Sequence, residues 1–467
     1  MLSLMLSGLT LLQLIPSVSA QNPSCGATIT TSTTLTANIG PCSGNGLVIG
    51  ADGITLNCAG HTITGTSTNT HAGVNLIGRT AVTVENCKVM AFPHGFYLYS
   101  SFGNTLKGNT ANNNKQYGVY LYDSSSNTLT GNTASDNGGH GFYLYSSSGN
   151  TLNANTANNN HNDGFYIYSS PHNKLGTSTA LTGNTANNNK QYGVYLYDSS
   201  SNTLTGNTAN NNGLNGFLLN SGSNSNMFTV NTADSNDYYG FYLLDSSDHN
   251  TFTGNTANGN YEGFYISGSS NDNLSGNIGS NNGYGGFALY SSFSNTFVNN
   301  IASDNFYGFY LLGSSGNTLT GNAANKNFWY GFDLYGSSFN TLAGNTADNN
   351  TVYDGFHLAF SSLNTLRTNS ANNNTRNGFY LDSASNNNAL TKNIADSNGQ
   401  SGFGLFAHFS PSAGNSLTGN KADRNSQYGY FDVTTGSGTE GTANHYSGNE
   451  CSGNGVACSS PAKLGTK

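Results

Sequence analysis

The chain of 467 residues predicts an all-β fold, a parallel β-helix solenoid built from coils of about 23 residues with three short strands each. Three observations carry this reading: a glycine that recurs at a near-constant step, a strand-like alternation after it, and columns of like residues when the units are superposed. The glycines are Gly95, Gly118, Gly141, Gly164, Gly193, Gly216, Gly240, Gly263, Gly286, Gly308, Gly331, Gly355, Gly378, Gly402 and Gly429. They stand 22 to 24 residues apart, except for steps of 29 between Gly164 and Gly193 and 27 between Gly402 and Gly429.

The first strand of each coil follows its glycine. In Gly95-Phe96-Tyr97-Leu98-Tyr99 the aliphatic and phenyl side chains fall at one parity and the phenols at the other, as a strand with one buried face requires. One residue after the glycine is Phe or Val in every unit but the last, which has Tyr430; three residues after it is Leu or Ile in every unit but the last, which has Asp432. Both columns are expected to point inward, each side chain contributing about 1.5–3 kcal/mol on full burial. A second strand is expected at Asn104-Thr105-Leu106, with its Leu column at Leu106, Leu129, Leu152 and Leu204, and a third near Thr110-Ala111, where small residues (Ala111, Ala134, Ala157, Ala186, Ala209) mark a narrow point of the coil. No unit holds ten residues of helical periodicity, and the recurrent Asn, Gly and Ser would end a helix that began.

Between those columns an asparagine recurs in fourteen successive units, from Asn109, Asn132 and Asn155 through to Asn420. An amide buried without partners costs roughly 2–7 kcal/mol, whereas amides stacked about 4.8 Å apart bond to one another along the axis. An asparagine ladder at a strand corner is therefore expected. The 60 glycines and the low charge of 8% would otherwise suggest disorder, but disordered sequence has no columns to bury. Residues Gly108 to Ala134 reappear unchanged as Gly183 to Ala209, so those coils are expected to have a generic role.

Both ends differ from the array. Leu9 to Ile15 form a short apolar run and Val18-Ser19-Ala20 offers a small-residue cleavage site before Gln21, as in a secretory signal peptide. No later run reaches the ~20 apolar residues of a membrane span. All six cysteines lie outside the array: Cys25, Cys42, Cys58 and Cys87 before it, Cys451 and Cys458 after it. An even number in an exported chain reads as disulfides; Cys451 is expected to pair with Cys458, and Cys25–Cys42 with Cys58–Cys87 is favoured among three N-terminal arrangements. The resulting division is a signal peptide at 1–20, capping coils at 21–94, regular repeats at 95–435 and a C-terminal cap and tail at 436–467. A secreted or periplasmic monomer is the expected product.

The run Gly46-Leu47-Val48-Ile49-Gly50-Ala51-Asp52-Gly53-Ile54-Thr55-Leu56-Asn57-Cys58-Ala59-Gly60-His61-Thr62-Ile63, with units such as Gly141-Phe142-Tyr143-Leu144-Tyr145, resembles the right-handed parallel β-helix repeat proteins of the pectin-lyase-like superfamily. In particular it is similar to the β-helix domain of the periplasmic copper-binding protein NosD. The likeness covers about residues 27 to 450 and implies a right-handed coil; it is weak for function, because such folds host many activities. Copper sites want clusters of Cys, Met or His. After the leader only Met90 and Met227 remain, and the ten histidines are scattered, so neither copper nor any other cofactor is expected.

Two functional readings follow. Tyr97 and Tyr99, Tyr120 and Tyr122, Tyr143 and Tyr145, Tyr166 and Tyr168, and Tyr195 and Tyr197 should form two outward stripes. Rings with an apolar face and a hydroxyl suit the C–H faces and polar edges of a polysaccharide, while stacking between coils would equally stabilise the sheet. The first reading is thus an exported module that binds polysaccharide or another extracellular surface. The second is a polysaccharide lyase, epimerase or hydrolase, since the column two residues after the glycine breaks to Asp333 and then His357, with Asp382 one coil on and two residues further along the strand. The resemblance implies a histidine base and a tyrosine acid acting beside a sugar carboxylate, with Tyr335, Tyr380 and Asp354 nearby. Against it, none of the fourteen basic residues falls at either outward position, two or four residues after the glycine, and the net charge is -8, which repels polyuronates. Such a basic deficit also excludes nucleic acid as a partner class. A purely structural spacer is the third reading. The long step after Gly164, with Pro171, His172 and Lys174, and the step through His408, Phe409 and Pro411 are expected to leave the coil as loops that wall one face.

Overall fold

The computed structural model describes residues 22–66, 71–176 and 183–464. They wind into a right-handed parallel β-solenoid of about 17 turns with three strands per coil. The first sheet starts at Ala27–Ile29, Leu47–Ile49, Ala72–Ile77 and His94–Tyr99, continues through every landmark-glycine coil, and ends at Tyr428–Asp432 and Ala457–Ser460. The second runs in parallel from Thr33–Thr34 to His445–Ser447. The third begins as Ile39–Cys42, Thr62–Gly65, Lys88–Met90 and Thr110–Ala111 and then thins to one bridge per coil, Thr110 to Thr133, Thr133 to Thr156 and onward to Lys421. The expected signal segment at 1–20 lies outside the described residues.

Register follows the columns read from the sequence. Phe96 pairs with Val119, Val119 with Phe142, and Phe142 with Phe165, all buried. Phe rings on successive coils pile up, 4.8 Å apart and within 6° of parallel for Phe142 and Phe165. The Leu column of the second strand and the Ala column are buried as well. The last unit's departures form a polar end to the core: Tyr430 stacks on Phe403, and buried Asp432 accepts hydrogen bonds from Tyr446 Oη at 2.9 Å and Asn444 Nδ2 at 3.0 Å.

The expected asparagine ladder is present, and two more flank it. Asn104, Asn127 and Asn150 head one row, Asn109, Asn132 and Asn155 the second, and Asn114, Asn137 and Asn160 the third; all are buried. Asn132 shows the pattern. Its Oδ1 accepts from the backbone N–H of Asn109 at 3.0 Å, and its Nδ2 donates to Asn155 Oδ1 on the next coil and to the Leu106 carbonyl on the preceding one, both at 2.9 Å. The corners leave backbone N–H groups pointing along the axis, and side-chain amides satisfy them. A serine row does the same at the first corner, where the Ser101 N–H donates to Ser124 Oγ at 3.0 Å and the Ser124 N–H to Ser147 Oγ at 2.9 Å.

The disulfides Cys25–Cys42, Cys58–Cys87 and Cys451–Cys458 are formed. The two long steps differ from each other. Residues expected in the first loop stay in register, since Lys174 pairs with Thr151 and Thr203, and Leu175 is a buried member of the Leu column; the added length falls at 177–182, outside the described residues. The second step does leave the coil, after Phe406 and before Ser412, which rejoins the serine row.

Candidate functional site

Parity on the first-sheet strands sends Phe and Leu inward and sets the tyrosines outside. Tyr99 is exposed, and Tyr97, Tyr120, Tyr122, Tyr143, Tyr145, Tyr166, Tyr168, Tyr195 and Tyr197 are half-buried. Both stripes are therefore on the surface. Their rings, however, stack on one another along the inner stripe and from Tyr145 onward in the outer one, where Tyr122 meets Tyr145 edge-on. Tyr120 and Tyr143 are 5.0 Å apart at 7°, Tyr143 and Tyr166 5.0 Å at 8°, and Tyr168 and Tyr197 5.0 Å at 3°. Ring faces within the row are thus occupied by neighbouring rings, and solvent meets ring edges and hydroxyls. Of the two expected uses of these rings, stacking between coils is the one seen in the fold. Burial, and beyond it the neighbouring phenols, holds the Tyr120, Tyr143 and Tyr166 hydroxyls well above the usual phenol range, so each remains a donor at any ordinary pH.

The second candidate cluster closes as expected. Asp333 and His357 are in register on adjacent strands, with His357 Nδ1 2.8 Å from Asp333 Oδ1. Burial opposes charge on the imidazole, but Asp333, its hydrogen bond and Asp354 outweigh burial and raise the pKa above the ordinary histidine value. The histidine therefore favours the imidazolium more than a free one does. Tyr330 stacks on one side of it at 4.6 Å and Tyr380 on the other at 5.4 Å; burial raises both phenols. Asp354 is buried and accepts from the Asn377 backbone N–H at 2.7 Å and its Nδ2 at 2.9 Å. Tyr335 is exposed and packs on Phe360.

Asp382 joins a neighbouring pair instead. It stands opposite Ala359, and its carboxylate meets His408 Nδ1 at 2.9 Å, Tyr380 Oη at 3.3 Å and the Ser383 hydroxyl. His408 arrives on the second long step, so that loop does wall the strand face. A residue not singled out from sequence is Arg376, whose guanidinium sits 5.2 Å over the Tyr353 ring. Tyr353 in turn stacks on Tyr330 at 5.1 Å. The cation missing from the outward strand positions is thus supplied from a turn, two residues before Gly378; its only signal was a lone Arg at a turn position.

Three further features went unread. Phe360, Phe339 and Leu363 adopt left-handed backbone, with φ of 51°, 60° and 60°, where other coils carry Ser100, Asp123, Ser146 or Gly316. All three are exposed, and Phe360 touches the loop's Phe409, 81% exposed. Bulky residues are rare at positive φ, so these apolar side chains break a local rule beside the His357 cluster. Buried Glu262, whose Oε2 has no partner among the described residues, is pushed up to about 8 by burial. Asp272 occupies an amide-row position, accepting from the Asn250 N–H at 2.7 Å, and burial pushes it to about 8 as well.

Copper fits poorly. A copper site asks for a cluster of soft or imidazole donors. All six cysteines are in disulfides, Met90 and Met227 lie on separate strands in different sheets, and no group of three His, Cys, Asp or Glu side chains among the described residues is placed to share an ion.

A family model described as periplasmic copper-binding protein (NosD) matches residues 17–177 and 231–363, and one described as right handed beta helix region matches residues 174–257 and 303–451. No curated protein matches the chain. Among solved structures, it is similar to the Dettilon tailspike protein (gp208), at 14% identity over 67% of this chain and 60% of that one with a TM-score of 0.35. It is also similar to the Azotobacter vinelandii mannuronan C-5 epimerase AlgE6 A-module, at 15% identity over 91% of each chain with a TM-score of 0.29. A third is the periplasmic alginate epimerase AlgG, at 14% identity over 89% of this chain and 77% of that one with a TM-score of 0.26. The chain thus spans 60% of the tailspike's length. Likenesses this distant bear on neither activity nor ligand.

Proposed function

The chain belongs to the NosD family, whose model covers more than half of it, and since its donor set does not fit copper, we propose that its working surface is the tyrosine-bearing face and that this face holds an extended polysaccharide. The observation that carries the reading is the phenol repeat. From Tyr97 to Tyr195 one phenol per coil stacks at 4.9 to 5.3 Å, a step comparable to one sugar residue of an extended chain. Protonated hydroxyls beside apolar ring edges offer such a chain repeated hydrogen bonds with partial apolar contact. Three disulfides, and the absence of a helix long and apolar enough to cross a membrane among the described residues, fit an exported protein; residues 1–20 serve as its leader in this reading.

The test is affinity electrophoresis or calorimetry against a panel of soluble polysaccharides. The wild type should bind at least one member, and Tyr143→Ala/Tyr145→Ala should weaken binding about tenfold or more with an unchanged circular dichroism spectrum. Binding to no polysaccharide, or undiminished binding by the double variant, would overturn the reading.

One specific arrangement favours a second reading, proton transfer on a uronate polymer. Arg376, the His357–Asp333 pair and Tyr380 place cationic and proton-bearing groups together, as stabilising and protonating a carboxylate-bearing sugar requires. Incubation of polyuronates in heavy water should then incorporate deuterium into the sugar or release unsaturated chain ends, and His357→Ala should abolish both. Absence of either product from the wild type removes this reading and leaves the binding one intact.

A further inference from the structure

The tyrosine row is capped differently at its two ends. At the C-terminal end, Leu218 stands in register beside Tyr195 and is buried, and Asn220 Nδ2 donates to Tyr195 Oη at 3.2 Å. At the N-terminal end, the residue in register with Tyr97 is Asn75, and the residue in register with His94 is Ala72. Two small side chains thus precede two rings. Tyr97 stacks on Tyr120 at 5.3 Å on its downstream side, and its register neighbour on the upstream side, Asn75, carries no ring. This is where the row shows an open ring face.

Beside Ala72 and Asn75 is a half-open cavity of about 270 Å³, lined also by Asn45, His71, His94, Tyr97 and Tyr120. That is just below the roughly 300–1,000 Å³ typical of small-molecule sites, room for a single ring. Two buried polar atoms of its lining, Asn75 Oδ1 and His94 Nδ1, have no hydrogen-bond partner among the described residues. Such atoms are uncommon in folded proteins and mark places where a partner is missing. His94 stacks on Tyr117 at 5.1 Å, which fixes the plane of the imidazole, and burial lowers its pKa to about 4. At neutral pH it is therefore uncharged, with one donor and one acceptor nitrogen. No carboxylate, ammonium or guanidinium lines the cavity.

We propose that this cavity is an end subsite that seats one uncharged pyranose residue, its C–H face on the open side of Tyr97 and its hydroxyls on Asn75 Oδ1 and the His94 imidazole. A hydroxyl both donates and accepts, so it satisfies Asn75 Oδ1 and either ring nitrogen of His94, and a sugar ring supplies several at fixed spacing. The inference rests on the polysaccharide reading and deepens it. The row of phenols runs directly into the cavity, so a chain lying along the sheet would end there, and the ligand class narrows to polymers whose terminal unit carries no charge.

The experiment measures binding of short neutral oligosaccharides of glucose, mannose and galactose, with oligogalacturonate as the charged probe, by calorimetry on the full chain. Wild type should bind at least one neutral probe. Asn75→Tyr adds one more ring to the row and fills the cavity, and should weaken that binding about tenfold or more; His94→Ala should do likewise, and decides the matter should Asn75→Tyr fold poorly. The subsite is overturned, and the row reading kept, if long polysaccharide binds wild type while the neutral oligosaccharides do not, if only the charged probe binds, or if His94→Ala and a folded Asn75→Tyr both bind as wild type does. Both fall if no carbohydrate of any length binds.

Discussion

Gly240 and Ala257 meet so closely that a Cβ placed on Gly240 would stand 2.6 Å from the Ala257 Cβ and 2.7 Å from the Gly263 carbonyl oxygen. The same contact recurs at Gly118 with Ala134, Gly193 with Ala209 and Gly355 with Ala371. The landmark glycine and the small-residue column are therefore two sides of one contact, the waist where the third strand passes the first. Gly240→Ala should destabilise the fold by about 1–3 kcal/mol, the cost of overpacking a close-packed interior. Urea denaturation of the variant against wild type checks this, and an unchanged midpoint would refute the waist.

Asp272→Asn is expected to stabilise the protein at alkaline pH. The native carboxyl ionises near 8 against an ordinary 3.8, so the folded chain keeps a proton that the unfolded chain releases. Stability from this group is full below about pH 4 and lost as pH rises through about 8. An asparagine restores the amide present at the same place on the neighbouring coils and removes the slope. Melting curves at about pH 3.5 and about pH 9 should show a variant advantage of about 1–3 kcal/mol at the higher pH, the cost of an unsatisfied buried polar group, and little at the lower. Glu262 contributes a slope of the same sign in both proteins and cancels in the comparison.

Phe360→Gly should raise stability by about 1 kcal/mol, since a non-glycine residue held at positive φ costs of the order of 1–3 kcal/mol and glycine's entropy returns part of it. The same change removes the ring between Tyr335 and Phe409. If the exposed rings serve a ligand, the stabilised variant should bind it more weakly; equal melting temperatures for both proteins would show that the left-handed phenylalanine carries no strain.

Breaking the ion pair should be visible by titration. Asp333→Asn takes away the main group holding the His357 pKa up, leaving burial unopposed by it. The imidazole should then titrate at lower pH than in wild type, as followed by the ring-proton NMR shifts. An unmoved titration would mean that Asp333 does not govern this histidine.

The array was legible in the sequence because its signals are periodic. Phe142 and Phe165, or Leu129 and Leu152, keep one residue class in one column, and burial demands it. Asn109 and Asn132 were legible for the same reason. The flanking rows at Asn104 and Asn114 were not, because in a chain so rich in asparagine a buried corner amide and a solvated one such as Asn113 read alike; only the coil's path separates them. The register of Asp333 with His357 followed from column counting, which fixes neighbours along the axis. Arg376 and Phe360 escaped because they reach the site from turns, where counting says nothing about where a side chain lies; the loop through His408 was in view, but its contact with Asp382 was not. The upstream end of the tyrosine row at Asn75 was not read, because a vacancy between coils is a property of shape and no residue letter encodes it.

Along the row from Asn109 to Asn420 each corner amide takes a hydrogen bond from the coil behind and gives one to the coil ahead, so every joint of that row is chemically the same joint. A whole turn inserted anywhere finds matching partners on both sides, and a whole turn removed leaves two that match each other. The repeated stretch from Gly108 to Ala134 and from Gly183 to Ala209 sits in the stack without a change in the bonds above or below it. The rod is in this sense modular: evolution or an engineer can tune its reach one rung at a time.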